Sequence, residues 1–568
     1  MKKFYTFLVM LAIFIGLSMS AMAQDTYKIT NSGMNYGVFK NSGPFGQTFI
    51  TIQSAIDYIK DQAKPNDCII QFGDGEVPLN TGTKNITFDG GAEGTDWNTI
   101  FLTGKLTSAC SGYDKGAICL KNNVYVFCDA DIEGTSTSDF PVTIWNSDAT
   151  FISRSGTISS NNGIAITNTT TGMVTIDGGT VEANGINGIA IISQTTGKIF
   201  IYNGTVKSQN SNGFLPGTIL LSGDTPQAFA CLVVSGGTIV NSSDEGHAIY
   251  NSSVAPIIIH GGVVLAKGGS AIFNLNGGKL YIKGGVIEAT TGITVCNTDG
   301  EVNISGGTIW ATGTDGIAVY IEKGTVNISG GEISVYNGRA VSNYIGTVTI
   351  SGGILSATEG CTVYSDNGIL TISGGMILAT TGSAVSNQLQ TTIISGGIIF
   401  AYGSDVKDVV DRDFQLDGNA ILVAWDKAAG NLTYIEGESE DIYLFYQGEG
   451  ATGLWAYLDS KNGILVKNGE NEGFIPIEGI EIENNIKTMT NGALQVYPNP
   501  TRGELTINNG QLTIKSVEIF DVYGRNVTPH TSYLTPLTSY NLTVFPSGVY
   551  FLKITTENGI VTKKVVKK

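Results

Sequence analysis

Chemically versatile side chains are concentrated in one part of the sequence, between residues 154 and 283. They recur at a constant distance from glycine-rich bends. The position just before the glycines holds, in successive copies, Arg154, Asp177, Tyr202, Ser235, His260 and Lys283. The position two residues earlier holds Thr175, Phe200, Val233, Ile258 and Tyr281. Aromatic rings beside hydrogen-bonding groups suit sugars, which offer apolar faces and hydroxyl edges. The candidate ligand-binding residues are therefore Phe200, Tyr202, Ile258, His260, Tyr281 and Lys283.

Catalysis at the same positions is a second hypothesis, with Asp177, His260 and Lys283 as its candidates. A glycoside hydrolase needs two facing carboxylates at a defined separation, and a single His or Lys on a strand is more often structural. The sequence contains no Ser-His-Asp, phosphate-loop, dinucleotide or HExxH pattern. It predicts no metal site and no cofactor, although a role for Ca²⁺ stays open in so acidic a chain.

These positions belong to a short sequence motif, here called the first phrase, which occurs eleven times between residues 151 and 400. Clean copies read V-N-I-S-G-G-T-I at 302–309 and L-T-I-S-G-G-M-I at 370–377, and a second phrase, G-x-A-[IV]-x-N, lies between copies. Alternating runs rich in Val and Ile predict strands, and the paired glycines predict bends. A unit of 22 to 25 residues in most copies has room for three short strands and three turns. The period therefore predicts stacked coils.

Over roughly residues 47–400 the chain resembles the right-handed parallel β-helix proteins of the pectin-lyase-like type. The resemblance implies an all-β solenoid with capping modules, because solenoid ends expose apolar surface and unpaired strand edges. It also implies an inward amide ladder that satisfies turn carbonyls. The ladder asparagines would be Asn168, Asn251, Asn274, Asn297, Asn343 and Asn387. Ile321 interrupts this column, so we expect an altered turn there.

The segments around the repeats have separate predictions. Residues 1–23 have the basic start, apolar run and small-residue cleavage site of a signal peptide. Residues 24–46 are polar and predict a loosely held lead-in. Residues 47–150 predict an N-terminal cap with a short helix, from the spacing of Ile52, Ala55, Ile56 and Ile59, followed by irregular first coils. Residues 401–485 predict a small all-β capping module and residues 486–493 a linker. No segment is predicted to span a membrane.

Seven cysteines are spread along the chain, four of them within residues 47–150. In an exported protein this group predicts one or two disulfides, whose pairing the sequence does not give. The other three lie in separate coils and predict packed thiols.

Residues 494–568 carry the most specific motifs of the chain. They contain Y-P-N-P at 497–500, V-E-I-F-D-V-Y-G-R at 517–525, P-S-G-V-Y-F-L-K-I at 546–554 and a lysine-rich end at 563–568. This segment resembles the C-terminal sorting domain of the type IX secretion system. The resemblance implies an Ig-like β-sandwich, the type IX machinery as a partner, and a final location outside the cell or on the outer-membrane surface. The resemblance to a sorting domain indicates where the protein is delivered and implies no activity.

The formal net charge of the chain is −17, although its tail is basic. A field of that sign repels nucleic acid and anionic membrane surfaces. It also disfavours uronic-acid polysaccharides unless Ca²⁺ bridges the two.

Three functions remain open from the sequence. The first is a non-catalytic adhesin or glycan-binding rod that recognises a polysaccharide or a host glycan. The second is a carbohydrate-active enzyme, a polysaccharide lyase or glycoside hydrolase, that acts at the N-terminal half of the solenoid. The third is a structural surface spacer. A 33-residue interval between Gly204 and Gly237 adds loop residues that would either wall the candidate binding face or cover it.

Overall fold

The structure is a computed structural model, and most of its described residues form β-strands. It describes residues 25–31, 36–41, 47–63, 68–79, 86–91, 97–108, 116–136, 141–194, 196–213, 216–223, 231–380, 382–390, 392–403, 410–411, 414–416, 420–426, 431–433, 454–459, 463–468, 471–476, 495–497, 501, 504–508, 514–521, 539–543, 548–556 and 559–568. The predicted signal peptide and the predicted linker lie outside these residues. The described residues divide into two compact units, one within residues 1–460 and 464–475 and the other within residues 461–463 and 476–568. The predicted all-β class is confirmed.

The N-terminal unit begins with a cap and irregular coils. The cap contains β1 (Asp25–Asn31), β2 (Tyr36–Lys40), β3 (Gln47–Phe49) and helix α1 (Ile52–Ala63). The first coils contain β4 (Cys68–Leu79), β5 (Ile86–Asp89), β6 (Thr99–Ser108), β7 (Ile118–Lys121), β8 (Tyr125–Cys128) and β9 (Asp131–Gly134).

The repeats form the longest part of this unit. Their strands are β10 (Val142–Ser147), β11 (Thr150–Ser153), β12 (Thr157–Ser160), β13 (Ile164–Thr169), β14 (Met173–Ile176), β15 (Thr180–Ala183), β16 (Ile189–Gln194), β17 (Lys198–Ile201), β18 (Thr205–Ser208), β19 (Gly217–Ser222), β20 (Leu232–Val234), β21 (Thr238–Asn241), β22 (His247–Asn251), β23 (Ile257–Ile259), β24 (Val263–Ala266), β25 (Ile272–Asn274), β26 (Gly278–Ala289), β27 (Ile293–Asn297), β28 (Gly300–Ala311), β29 (Gly316–Ile321), β30 (Thr325–Asn343), β31 (Thr347–Gly360), β32 (Val363–Ser365), β33 (Ile369–Ala379), β34 (Val385–Asn387) and β35 (Thr392–Gly403). Each coil contributes three stretches of strand, and equivalent stretches of successive coils pair in parallel, as β14, β17, β20 and β23 do. The chain is therefore a parallel β-solenoid, as the repeat predicts.

The three stretches define three faces of the solenoid. Face A is formed by the first phrase up to its glycines, as in β17, β20, β23 and the first part of β26. Face B is formed by the strand after the glycines, as in β18, β21 and β24. Face C is formed by the second phrase, as in β19, β22, β25 and β27. On each face alternate side chains point inward, where columns of Ile, Val and Leu are buried.

The second glycine of the first phrase marks the bend between face A and face B. Gly353 is an example, with a φ of +87°. A Cβ at this position would lie 2.9 Å from the carbonyl oxygen of Gly331, one coil earlier. Both the left-handed backbone and the close stacking of coils therefore require glycine here.

The asparagine column of the second phrase lies inside the solenoid. Asn251 Nδ2 donates to Asn274 Oδ1 over 2.9 Å, and Asn274 Nδ2 donates to Asn297 Oδ1 over 2.8 Å. These amides also satisfy turn carbonyls, as Asn274 does for Gly278 over 2.9 Å. The turn after Ile321 differs from its neighbours, because Gly324 has a φ of +90° whereas Gly300 and Gly346 do not enter the left-handed region. Asn168, Asn343 and Asn387 are buried at the same column.

The cap corrects one sequence interpretation. The helix predicted from the apolar spacing is confirmed, and it buries Ile52, Ala55, Ile56 and Ile59. The lead-in, however, is not loosely held where the structure describes it. Strand β1 pairs in parallel with β4, and β2 pairs with β1. Tyr27, Ile29, Tyr36 and Val38 are buried with the solenoid core, because alternate apolar residues in an otherwise polar segment suffice for a paired strand with one buried face.

The solenoid also continues past residue 400, which corrects the predicted boundary. The strands beyond the repeats are β36 (Val410–Asp411), β37 (Phe414–Leu416), β38 (Ile421–Asp426) and β39 (Asn431–Thr433). Both β37 and β38 pair in parallel with β35, so they form one further coil. Strand β39 pairs antiparallel with β38 and ends the parallel pairing. A separate three-stranded sheet follows, formed by β40 (Leu454–Asp459), β41 (Gly463–Asn468) and β42 (Asn471–Pro476).

Six of the cysteines are described, and no disulfide joins any two of them. A disulfide between any two of Cys68, Cys119 and Cys128, which the sequence left possible, is therefore not formed, and all three residues are buried. Cys110 lies outside the described residues. Cys231 and Cys296 are buried, and Cys361 is half-buried.

The C-terminal unit contains β43 (Gln495–Tyr497), β44 (Glu504–Asn508), β45 (Ile514–Asp521), β46 (Ser539–Asn541), β47 (Gly548–Thr556) and β48 (Gly559–Lys567). These strands form two antiparallel three-stranded sheets. Buried residues from both sheets, including Leu505, Ile519, Leu542 and Leu552, make one core. The Ig-like arrangement of these sheets stays a prediction.

Candidate functional site

The candidate ligand-binding residues of face A form a ladder across four coils. Phe200 is in register with Val233, Val233 with Ile258, and Ile258 with Tyr281. These four side chains point outward and are half-buried. Coils stack about 4.8 Å apart, so the ladder from Phe200 to Tyr281 is about 15 Å long. We call these four residues the face A ladder.

A polar column runs beside the ladder, at the position just before the glycines. It contains Tyr202, Ser235, His260 and Lys283, and the last three are exposed. The Tyr202 ring lies parallel to that of Phe200, at 6° and with 6.3 Å between centroids. Burial raises the pKa of the Tyr202 hydroxyl, and the nearby Asp177 carboxylate adds to that effect. Tyr202 is therefore a neutral hydrogen-bonding group beside the ladder.

Charged residues at the N-terminal end of face A are paired with protein groups. Arg154 forms an ion pair with Asp129 of the preceding coil. Its guanidinium also lies 5.2 Å from the ring centroid of Phe127. Asp177 accepts a hydrogen bond from Asn203 Nδ2 over 3.0 Å. Arg154 is therefore occupied by its own coil neighbours.

The three catalytic candidates do not converge. Asp177 and His260 occupy the same column three coils apart, which is about 15 Å along the solenoid. His260 and Lys283 are on successive coils, about 5 Å apart, but neither is a carboxylate. Hydrolysis by paired carboxyl groups requires a separation of about 5 to 9.5 Å. Among the described residues, no group of three or more His, Cys, Asp or Glu side chains could hold a metal ion.

Face A changes character in its C-terminal half. The ladder position is taken by Asn303, Asn327, Thr349 and Thr371, in register with Tyr281. Two of these side chains bond each other, since Asn327 Nδ2 donates to Asn303 Oδ1 over 3.0 Å. Ile393 restores an exposed apolar residue at the last repeat. The insertion between Gly204 and Gly237 is described except at residues 214–215 and 224–230, so the predicted loop residues there lie outside the description.

Face C carries a second set of aromatic side chains. Tyr250 and Phe273 stack across two coils, with 5.4 Å between centroids and 11° between planes. His247 packs against both rings, and its Nδ1 accepts the backbone N–H of Ser270 over 2.8 Å. Burial lowers the pKa of His247 to about 4. This part of face C is a packed outer cluster with a neutral imidazole.

The C-terminal half of face C contains a groove that sequence reasoning missed. It has a volume of about 630 Å³, and its lining includes Asp315, Asn337, Arg339, Cys361 and Tyr364. The Arg339 guanidinium lies over the Tyr364 ring, 3.7 Å from its centroid. The signal available in the sequence was the appearance of an arginine, rare in this chain, one coil before an aromatic of the second phrase.

Comparison with known families identifies the tail of the chain. Residues 495–568 match the family described as the secretion system C-terminal sorting domain. No curated protein matches the chain, and no solved structure does either. The predicted sorting domain is thus confirmed, and it implies type IX secretion machinery as a partner and a location at the cell surface or outside the cell. The described residues contain no helix that is long and apolar enough to cross a membrane. The parallel solenoid is consistent with the resemblance to pectin-lyase-like proteins.

Proposed function

We propose that this exported solenoid is a non-catalytic adhesin that binds a glycan on the N-terminal half of face A. The observation that supports this most is the half-buried ladder of Phe200, Val233, Ile258 and Tyr281. It pairs flat apolar surface with a parallel column of hydrogen-bonding side chains. Sugar rings present the complementary pair of surfaces, an apolar face and a hydroxyl edge.

The linear arrangement favours a chain-like ligand over a single sugar. The contact positions recur once per coil, so a polymer lying along the solenoid would meet equivalent groups about every 4.8 Å. Several weak contacts of this kind add avidity without a deep pocket. A neutral glycan is favoured because the chain carries a formal net charge of −17.

The same geometry argues against catalysis on this face. The one carboxylate among the three candidates is paired with Asn203. It lies about three coils from His260, beyond the reach of a shared substrate bond. Glycan binding therefore requires fewer features of face A than catalysis does.

The test is affinity electrophoresis of the full-length protein in gels cast with different neutral polysaccharides, with and without Ca²⁺. We expect retardation in at least one gel, and we expect Phe200→Ala and Tyr281→Ala each to weaken it severalfold. Asn327→Ala and Thr349→Ala are the matched controls, because they occupy the same column in the C-terminal half. Retardation that survives both ladder changes, or a cleared track behind the band, would contradict the proposal. Normal migration in every gel would favour a spacer.

A further inference from the structure

The groove on face C is shaped by the backbone of four successive coils. Its floor includes Gly338, Gly360 and Gly382, which stack on one another. A Cβ at these three positions would lie 2.1 to 2.6 Å from the carbonyl of the glycine one coil earlier. Side chains cannot occupy this floor, so the groove is a permanent feature of the coil stacking. It spans about 15 Å along the solenoid axis.

One wall of the groove is a stacked pair. Arg339 reaches from one coil over the ring of Tyr364 in the next, with 3.7 Å between the guanidinium carbon and the ring centroid. Such a stack uses the flat face of the guanidinium and leaves its N–H edge for other partners. No ion pair involves Arg339 within the described part of the chain.

The opposite face of the Tyr364 ring is directed toward small side chains. The residues in register with Tyr364 are Ser342 before it and Ser386 after it. Arg339 fills the first of these two sides. On the second side Ser386, Ser383 and Gly382 line the groove. Further toward the N-terminus, the same column places the Phe273 ring directly against the Tyr250 ring, with 5.4 Å between centroids. After Tyr364 the column has Ser386 in place of a ring, so a ligand with a ring could stack on Tyr364 there.

The polar groups of the groove indicate the class of ligand. Asp315 accepts hydrogen bonds, Arg339 donates them, and Asn337 can do both. The two charges in the lining are opposite in sign, and the chain as a whole is acidic. A carboxylate or sulfate group on the ligand is therefore not favoured, whereas the hydroxyl groups of a neutral sugar can use all three side chains.

We infer that this groove is a second binding site, which takes one or a few residues of a neutral saccharide between Tyr364, Arg339 and Asp315. It is on a different face from the ladder, and it does not rest on the function proposed for face A. A sugar ring stacks on the free side of Tyr364, and Arg339 and Asn337 donate to its hydroxyl oxygens. Asp315 accepts from a hydroxyl group at the other end of the groove.

The test is calorimetric titration of the full-length protein with maltotetraose, cellotetraose and mannotetraose, and with tetragalacturonate as the anionic counterpart. We expect at least one neutral probe to bind, and Arg339→Ala and Tyr364→Ala each to weaken it by about tenfold or more. Tyr320→Ala is the matched control, because Tyr320 lies in the same aromatic column but outside the groove lining. Its affinity should stay within about twofold of the unmodified protein.

One further variant and a folding measurement separate loss of the site from loss of the fold. Arg339→Gln keeps a hydrogen-bonding side chain of similar length but loses the charged planar stack, and thermal melts show whether each variant is folded. A folded Arg339→Gln variant with reduced affinity supports the site. Binding by none of the neutral probes, tighter binding of tetragalacturonate, or loss of binding in Phe200→Ala but not in Arg339→Ala would each overturn it. The last result would leave the function proposed for face A intact.

Discussion

Replacement of Asn274 by alanine should destabilise the coils around it more than any equivalent change on the surface. Asn274 is fully buried. Its Nδ2 donates to Asn297 Oδ1 and to the Gly278 carbonyl, and its Oδ1 accepts from Asn251 Nδ2. Asn274→Ala therefore leaves Asn251 Nδ2 without its acceptor, and it leaves Asn297 Oδ1 and the Gly278 carbonyl without a donor inside the solenoid.

The size of the effect follows from these three groups. A buried polar group without a partner costs about 1–3 kcal/mol. If a water molecule enters the vacated space and bonds some of the groups, the cost falls toward the lower end. We expect a loss of about 3–6 kcal/mol in the free energy of opening for this part of the solenoid. Asn303→Ala is the matched control, because Asn303 also links to an amide of the next coil but lies on the outer surface, and it should cost less than about 1 kcal/mol.

Hydrogen exchange read by mass spectrometry is the suitable assay, because a repeat protein can open locally and hydrogen exchange reports the free energy of opening coil by coil. Peptides that cover β22, β25 and β27 should lose protection in Asn274→Ala, while peptides of the cap should not. Equal protection in the two variants would refute the argument that the inner amides hold the coils together.

Three further predictions concern other parts of the solenoid. Gly353→Ala should lower the stability of the solenoid by at least about 1 kcal/mol, because the φ of Gly353 is +87° and the added Cβ would lie 2.9 Å from a carbonyl oxygen. In Gly213→Ala the added Cβ would have no atom within 4 Å, so this control should not change the thermal melt. The pKa of His247 is lowered by burial from 6.5 to about 4, so the unfolded chain takes up the proton first as pH falls. Stability should decrease from about pH 6.5 toward pH 4 by up to about 3 kcal/mol, and His247→Phe should flatten that dependence in melts at pH 7 and pH 4.5. Burial raises the pKa of Cys128 to about 12, so iodoacetamide should modify the half-buried Cys361 long before Cys128, as peptide mapping would show.

The solenoid was predictable because its signal repeats. The glycine pairs and alternating Val and Ile residues predict the same strands and bends in every copy, so a departure from the pattern in one copy does not change the predicted fold. The sorting domain was predictable for a different reason, since its motifs are specific in residue type and order. Helix α1 followed from apolar spacing alone.

Two boundaries were not predictable from the repeat. Residues 24–46 lack the repeated phrase, yet Tyr27 and Ile29 make β1 a parallel neighbour of β4. Past residue 400 the glycine pair disappears, yet Ile421 and Leu422 continue the parallel pairing with β35. In both places the coil persists because strand pairing needs only alternating apolar residues, not the full phrase.

The candidate sites were predictable to different degrees. The face A ladder could be found because one column changes in residue type along the chain. The groove could not, because it depends on a side chain from one coil reaching over a ring of the next, as Arg339 does over Tyr364. Its glycine floor also looks like ordinary turn chemistry in the sequence.

Carbene footprinting of the full-length protein tests most directly whether the N-terminal half of face A contacts the glycan. Labelling would be compared with and without the neutral polysaccharide that retards the protein in gels. We predict protection of β17, β20, β23 and the first part of β26, and no change at the Asn327 and Thr349 positions of the same face. Protection confined to other faces, or labelling that does not change at Phe200 and Tyr281, would contradict the account.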